Sequence, residues 1–400
     1  MKRRQFGQVM FTAAGAVTAA DGTDVVAQGE VPGHEQGVQV DRIEDAVSIA
    51  DVRLMAKSRM EEATFDYIDT GSCDQYTLRD NVNAFQRIQV LPPLLTGVRK
   101  VDLSVNVLGK KIAMPILLAP VAGQRMFHAE GGLAAARAAA TMGTVYGMSS
   151  SVGNSVEEIA AAADCPKWFQ LYVPKDRQVT RRLVERVNGA GFEAIVLTVD
   201  LGEWKDADRR HKFAVPKNML VKHLRDIGFS QVTMDMSEEE IQTFNADAWD
   251  LALSWEFISW LRRHTKLPIL LKGVLRPDDA QRAIDAGVSG LVVSNHGGRR
   301  LDGMPASIDS LEAIVEVAGE AVEVYLDSGI RRGTDILKAL ALGARAVLIG
   351  RPYAWGLGAA GEAGVERVLQ LLHDELENAM LSAGCTSLQD ITTDLLQRSG

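Results

Sequence analysis

Two segments, LPILLKGV (267–274) and GLVVSNHGGRRLD (290–302), decide how this chain is read. In the first, an apolar run ends on Lys272. In the second, the run Leu291 to Val293 ends on Ser294, Asn295 and His296, followed by two glycines and Arg299. A stretch of helical spacing separates them. Apolar strands that alternate with helices and stop abruptly at polar residues predict consecutive strands of a parallel α/β protein. In an α/β barrel such strand ends build the active site. A lysine, a histidine and an arginine there supply a fixed positive charge, a proton acceptor and an anion clamp, a set suited to acting on a small acid.

The same rhythm extends both ways. Strands are expected from about Pro115 to Ala119, Val145 to Ser149, Phe169 to Val173 and Ala194 to Val199, and again from Val322 to Leu326 and Ala346 to Ile349. Helices are expected between them. One opens after Ser155, where Ser155 and Glu158 form a capping box, and a long last one begins near Gly364. Eight strand–helix units, with strands apolar on both faces, predict a (β/α)8 TIM barrel. An open doubly wound sheet would place its glycine-rich turn after the first strand, which this chain does not. Ahead of the barrel, helical spacing from Arg42 to Phe65, broken at Gly71, predicts an N-terminal helical extension. Residues 101–114 predict a hairpin turning at Gly109. Residues 201–250 read as a long irregular insertion after the fourth strand, expected to act as a lid on the catalytic face.

With 400 residues, 46% hydrophobic and 24% charged, the chain can fill and cover one such barrel. A net charge of -9 without a basic stripe argues against nucleic acid as a partner, and makes a local positive site the more informative. Cys73, Cys165 and Cys385 have neither metal-ligand spacing nor a disulfide framework. The start, MKRRQF followed by an uncharged run from Gly7 to Ala20, resembles a twin-arginine export signal. Residues 1–27 are therefore expected to be a signal peptide, cut after Ala20 or Ala27, and the mature protein periplasmic; the alternative is a basic tail on a cytoplasmic protein. Residues 28–40 read as a linker and 41–400 as the barrel domain. No other stretch is long and apolar enough to span a bilayer.

Strand seven ends in DSGIRRG (327–333) and strand eight in IGRP (349–352). Glycines admit main-chain N–H groups and arginines give paired contacts to oxygens, so two such motifs on consecutive barrel strands predict a phosphate site. With Lys272 two strands away, the phosphate would belong to a cofactor lying across the barrel mouth. A lysine beside a flavin favours the charge that a reduced ring collects; a Schiff-base lysine of the aldolase kind is the other reading of Lys272. His296 is the candidate base, with two glycines clearing space beside it. Asp200, ending strand four, is placed to pair with it and raise its proton affinity. Arg299 offers a planar fork for a carboxylate.

These segments, together with FDYIDTG (65–71), LLAPVAGQ (117–124), WFQLYVPKDR (168–177), LTVD (197–200) and LGARAVLIGRP (342–352), resemble the FMN-dependent 2-hydroxy acid oxidases and dehydrogenases. That group includes glycolate oxidase, lactate oxidase and lactate monooxygenase, and the resemblance runs from about Arg42 to the C-terminus. It implies FMN as cofactor and oxidation of an L-2-hydroxy acid to the 2-oxo acid. Electrons would pass on to O₂ or a respiratory acceptor, and the assembly would be a homo-tetramer. By the same resemblance His296 takes the hydroxyl proton, Asp200 orients it, Tyr172 bonds the substrate hydroxyl, and Tyr67 and Arg299 hold the carboxylate. Lys272 lies by flavin N1 and O2. Ser149, Gln170 and Thr198 bond the ring, and the Ala119, Pro120, Val121 and Ala122 main chain follows its N5 edge. Ser294 lies beside the flavin and Asp327 meets the ribityl chain. Gly329, Arg331, Gly350 and Arg351 hold the phosphate.

Two positions depart from the pattern. Lys205, in WKDAD, stands where the family has a second carboxylate-binding arginine, and lysine lacks the bidentate fork. Ser151 stands where glycolate oxidase has a tryptophan, which enlarges the pocket or admits water. Both motivate an alternative: a relative acting on a larger or non-standard substrate. A flavin-binding module without turnover is the rival from another class, and the complete set of His296, Asp200, Tyr172 and Arg299 argues against it.

Overall fold

The computed structural model describes residues 37–200 and 213–398. The signal-like segment, most of the linker and Lys205 lie outside the described residues. Eight parallel strands close into a barrel in chain order: β1 Ile116–Leu118, β2 Tyr146–Ser149, β3 Lys167–Leu171, β4 Ala194–Thr198, β5 Ile269–Val274, β6 Gly290–Val293, β7 Glu323–Leu326 and β8 Ala346–Ile349. All residues of these strands but Gly273 and Glu323 are buried, because the barrel lumen covers one face and helices the other. That is why they read as unbroken apolar runs. The Val105–Val107 and Lys110–Ile112 strands form the expected hairpin, with Leu108 and Gly109 both left-handed in the turn. Val105, Val107 and Ile112 pack with the lumen residues Trp168, Leu270 and Tyr325, so the hairpin stoppers one end of the barrel. The strand C-terminal ends open at the other.

Local signals set the helices. Ser155 and Glu158 cap Val156–Ala162 reciprocally, as expected. Pro277 starts Pro277–Asp285, its fixed φ suiting the first turn. The last helix begins earlier than expected. It leaves β8 directly and spans Arg351–Ala383, with a break at Ala360 and Gly361 that makes its second half look like a separate helix near Gly364. The insertion is also corrected. Its described part holds two helices, Lys217–Ile227 and Glu238–Asp247, rather than irregular chain. Leu220, Val221, Leu224 and Ile227 bury one stripe of the first, and Ser237 with Glu240 caps the second.

The N-terminal extension comprises Ile49–Arg59, Glu62–Asp69 and a further helix, Tyr76–Gln86. Arg53 joins the first two through paired bonds to Asp69 at 2.7 Å. Asp302, after β6, caps the third by accepting from the Tyr76 and Thr77 amides. Asn81 on that helix exchanges side-chain bonds with Asn295 at 2.8 and 2.7 Å. The extension is thus latched onto the β6 loop and delivers Tyr67 to the barrel mouth.

Candidate active site

A cavity of about 600 Å³ opens at the C-terminal ends of the strands. At its centre the His296 Nδ1 lies 3.0 and 3.1 Å from the two Asp200 carboxylate oxygens. With Nδ1–H donating to Asp200, the lone pair sits on Nε2, facing the Tyr172 hydroxyl at 3.4 Å. That hydroxyl in turn accepts from Arg300 Nη2 at 2.8 Å. The backbone is bent to make this possible. His296 has φ of +59°, a conformation costly for a side chain with a Cβ. Across from it, Gly273 has φ of +110°, and a Cβ there would lie 2.7 Å from Asp200 Cβ. The residue after Lys272 must be glycine for Asp200 to reach the histidine.

Burial pushes His296 down to about 4; Asp200 pulls the other way, while Arg300 and Lys272 add to the lowering. Asp200 was expected to raise the proton affinity of His296. Its charge does act in that direction, but desolvation and two cations outweigh it. The imidazole is therefore neutral at ordinary pH, as a base must be. Asp200 itself is lowered despite burial, because His296 and Lys272 favour its charge.

Lys272 is buried, bonded to Ser294 Oγ at 2.8 Å and paired with Asp327 at 3.1 Å. Burial opposes its charge, but Asp327 and Asp200 prevail and raise its pKa. The second oxygen of Asp327 accepts from Ser328 at 2.7 Å. Nearby, burial depresses Arg351 well below the usual guanidinium range, and repulsion from Arg299 and Arg331 adds to it. Three cations held so close call for an anion. The helix starting at Arg351 points its N-terminus into the same region with no side-chain cap on its first turn. The Arg351 guanidinium is occupied otherwise, donating to the carbonyls of Ile68, Gly297 and Thr70 at 2.8–2.9 Å. Its contribution to an anion is its charge and its place at the helix start.

The space cleared by the two glycines after His296 is taken by neighbouring chain. A Cβ on Gly297 would lie 2.6 Å from Arg351 Nη1, and one on Gly298 2.6 Å from the Leu78 amide. Arg299 donates to the Tyr67 carbonyl and stands over the Tyr67 ring at 4.8 Å, inside the cavity. Arg300, which the sequence reading passed over, is the arginine that reaches Tyr172. Gln124 was also missed. It is buried and bonds Tyr353, whose hydroxyl donates to the Ala119 carbonyl at 2.7 Å, fixing the Ala119 to Ala122 segment.

Two buried atoms report on what the cavity is built for. Gln170 Nε2 and Thr198 Oγ1, at the ends of β3 and β4, have no hydrogen-bond partner among the described residues. Ser149 Oγ donates to the other side of the same Gln170 amide at 3.0 Å. Orphaned polar groups of this kind are rare and mark a missing partner. Polar strand ends at one side, a buried cation in the middle and an anion cradle at the other fit a flat heteroaromatic ring carrying a phosphate tail. Fold and site together define a flavin-nucleotide oxidoreductase of the α/β-barrel class.

The comparisons place it more closely. The family described as FMN-dependent dehydrogenase matches residues 56–398. Glycolate oxidase 1 of Oryza sativa subsp. indica is 44% identical over 352 residues, covering 87% of this chain and 95% of that protein. L-lactate oxidase of Nostoc sp. is 44% identical over 361 residues, covering 88% and 99%. A crystal structure of mandelate oxidase superposes with a TM-score of 0.78 at 40% identity, covering 88% and 98%. The chain belongs to the FMN-dependent dehydrogenase family. It binds FMN and is an enzyme of 2-hydroxy acid oxidation.

Proposed function

We propose that the substrate is an L-2-hydroxy acid and that His296 removes its hydroxyl proton as the α-carbon hydrogen departs with two electrons. The observation that carries this reading is the line Arg300–Tyr172–His296–Asp200, with Nε2 and the Tyr172 hydroxyl 3.4 Å apart and both facing the cavity. A substrate hydroxyl bound between them meets an acceptor and a donor at once. Asp200 holds the tautomer and stabilises the imidazolium that forms. Arg299 and Tyr67 receive the substrate carboxylate. Lys205, outside the described residues, is a second cation for it. Bound FMN supplies the two-electron acceptor, and the residues around it hold and polarise it. Ser149, Gln170, Thr198, Lys272 and Ser294 face the ring, Asp327 the ribityl chain, and Gly329, Arg331, Gly350 and Arg351 the phosphate.

Replacing His296 with Asn tests the assignment. FMN stays bound, while anaerobic bleaching of the flavin by a hydroxy acid falls by at least about 10³-fold, the scale of a lost general base. Reduction at an undiminished rate would refute it. The names of the relatives, a glycolate oxidase, a lactate oxidase and a mandelate oxidase, support hydroxy acids with quite different side chains as candidates. Readmitting air to the reduced enzyme, or adding a quinone instead, distinguishes an oxidase from a dehydrogenase feeding a respiratory acceptor. Export through a signal in residues 1–27 is proposed on MKRRQF and the uncharged run from Gly7 to Ala20. Cell fractionation of an R3K/R4K variant, which should remain in the cytoplasm, tests it. A homo-tetramer is proposed from the family resemblance and is read by light scattering. Among the described residues no helix is long and apolar enough to cross a membrane.

A further inference from the structure

The described part of the insertion between β4 and β5 forms one wall of the cavity, and its side chains have no part in the chemistry above. His223, on Lys217–Ile227, stacks on Trp249 with 6.1 Å between centroids and 18° between planes. Trp249 is brought there by an antiparallel bridge to Pro174 and by the Asp250 amide bonding the Val173 carbonyl at 2.8 Å. It meets the Tyr172 ring edge-on at 6.4 Å. At the far side, His223 Nε2 lies 3.5 Å from Ser151 Oγ, the outer limit of a hydrogen bond. His223, Trp249, Ser151, Tyr172 and His296 all line the same cavity. A strip of flat rings therefore runs from the base to a small polar end. That end is open because residue 151 is serine.

Each part of the strip selects for a side-chain property. Ring faces and edges favour an aryl group. Burial pushes His223 down to about 4, and the neighbouring Lys222 adds to it, so the imidazole is neutral at working pH. Lys222 is already paired with Glu158 and Asp226 at 3.1 and 2.7 Å. A neutral imidazole and a hydroxyl can each donate and accept one bond. The loose contact between them is one that an inserted hydroxyl would improve. A substrate as small as glycolate would leave this end of the cavity unused.

We propose that Ser151, His223 and Trp249 form a subsite for the far end of the substrate, and that the preferred substrate is a 2-hydroxy acid with an aryl side chain ending in a hydrogen-bonding group. The proposal rests on the assignment of His296 and Tyr172 as the reacting end.

The test uses the full chain loaded with FMN. Anaerobic flavin reduction is compared for 2-hydroxy-3-(4-hydroxyphenyl)propanoate, 2-hydroxy-3-phenylpropanoate and glycolate. Binding of the corresponding 2-oxo acids is read from the shift in flavin absorbance. The wild type should favour the hydroxyphenyl over the phenyl compound about tenfold, the scale of one buried hydrogen bond. It should favour the phenyl compound over glycolate by at least as much. H223F keeps a ring against Trp249 without the nitrogens, and should bring the first ratio to about one. S151W fills the polar end and should invert the second. Equal binding of all three oxo acids to the wild type overturns the proposal. So does an H223F variant that weakens all of them by one common factor, which would make His223 merely structural. If the oxo acids bind in the expected order but no hydroxy acid bleaches the flavin, the subsite stands and the catalytic assignment falls. Rapid reduction by glycolate with no aryl preference removes the subsite and leaves the catalytic assignment intact.

Discussion

Replacing Arg300 with Met should move the acid limb of the pH–rate profile upward, and the size of the move follows from the geometry. The guanidinium donates to the Tyr172 hydroxyl at 2.8 Å, and that oxygen is 3.4 Å from His296 Nε2. The positive charge is thus within about 6 Å of the atom that must stay unprotonated. Two unit charges at that distance repel by about 3 kcal/mol at an effective dielectric constant near 20, or about two pKa units. Access of solvent through the mouth reduces this to between about one and two. In the wild type, burial and two cations hold His296 at about 4. The profile of kcat/KM should therefore be flat down to about pH 5 and fall tenfold per unit below about 4. In R300M the break should lie between about 5 and 6. A substrate carboxyl also titrates near 4, but its break stays where it is in both enzymes, so the shift isolates the histidine. Loss of the bond to Tyr172 lowers the plateau, which is a change of height and not of position. Stopped-flow flavin reduction from pH 3.5 to 8 reads both. A wild-type break near 6.5, or an R300M profile with an unmoved break, would refute the electrostatic account.

Other consequences follow from the same contacts. G273A places a Cβ 2.7 Å from Asp200 at a φ of +110°; it should cost about 2–4 kcal/mol in a urea titration and slow flavin reduction, since Asp200 must yield. K272M leaves Asp327 buried without its cation; the loss of stability should be about 3 kcal/mol, and flavin reduction should slow at all pH values. His223 and His296 are both depressed to about 4, so each is buried neutral and takes up a proton more readily when unfolded. The stability they contribute is complete above about pH 6.5 and is lost as pH falls toward 4. Unfolding at pH 4.5 should therefore be easier than at pH 7 by about 2–3 kcal/mol for each, and H223F should remove one of the two shares.

The barrel was legible because its strands are covered on both sides. Each becomes an apolar run, and the first polar residue at its C-terminal end marks the catalytic face, as Lys272, Ser294, Asp327 and Thr198 all do. The helix Tyr76–Gln86 was not seen. Its buried face is partly polar, through Thr77 and Asn81, and its capping carboxylate, Asp302, comes from more than two hundred positions away. The insertion read as irregular chain although local helix signals were present, in the stripe Leu220, Val221, Leu224, Ile227 and the Ser237–Glu240 box. The arginine pair could not be sorted by counting. Residues 296–298 are all left-handed, which breaks any alternation carried forward from β6.

This division of what was readable has a physical basis in how the site is assembled. Four of the residues proposed to face the flavin sit at strand ends, where hydrogen bonding between strands fixes them: Thr198 is aligned with Lys272, and Ser149 with Gln170. Their positions can be read from the local pattern of an apolar run ending in a polar residue. The side chains around the variable end of the substrate sit on the insertion, and they are placed by contacts between distant segments, such as Trp249 against Pro174 and His223 against Ser151. Changing them leaves the barrel hydrogen bonds untouched. Specificity can therefore drift while the chemistry is held, and Ser151 is informative only once the structure shows His223 across from it.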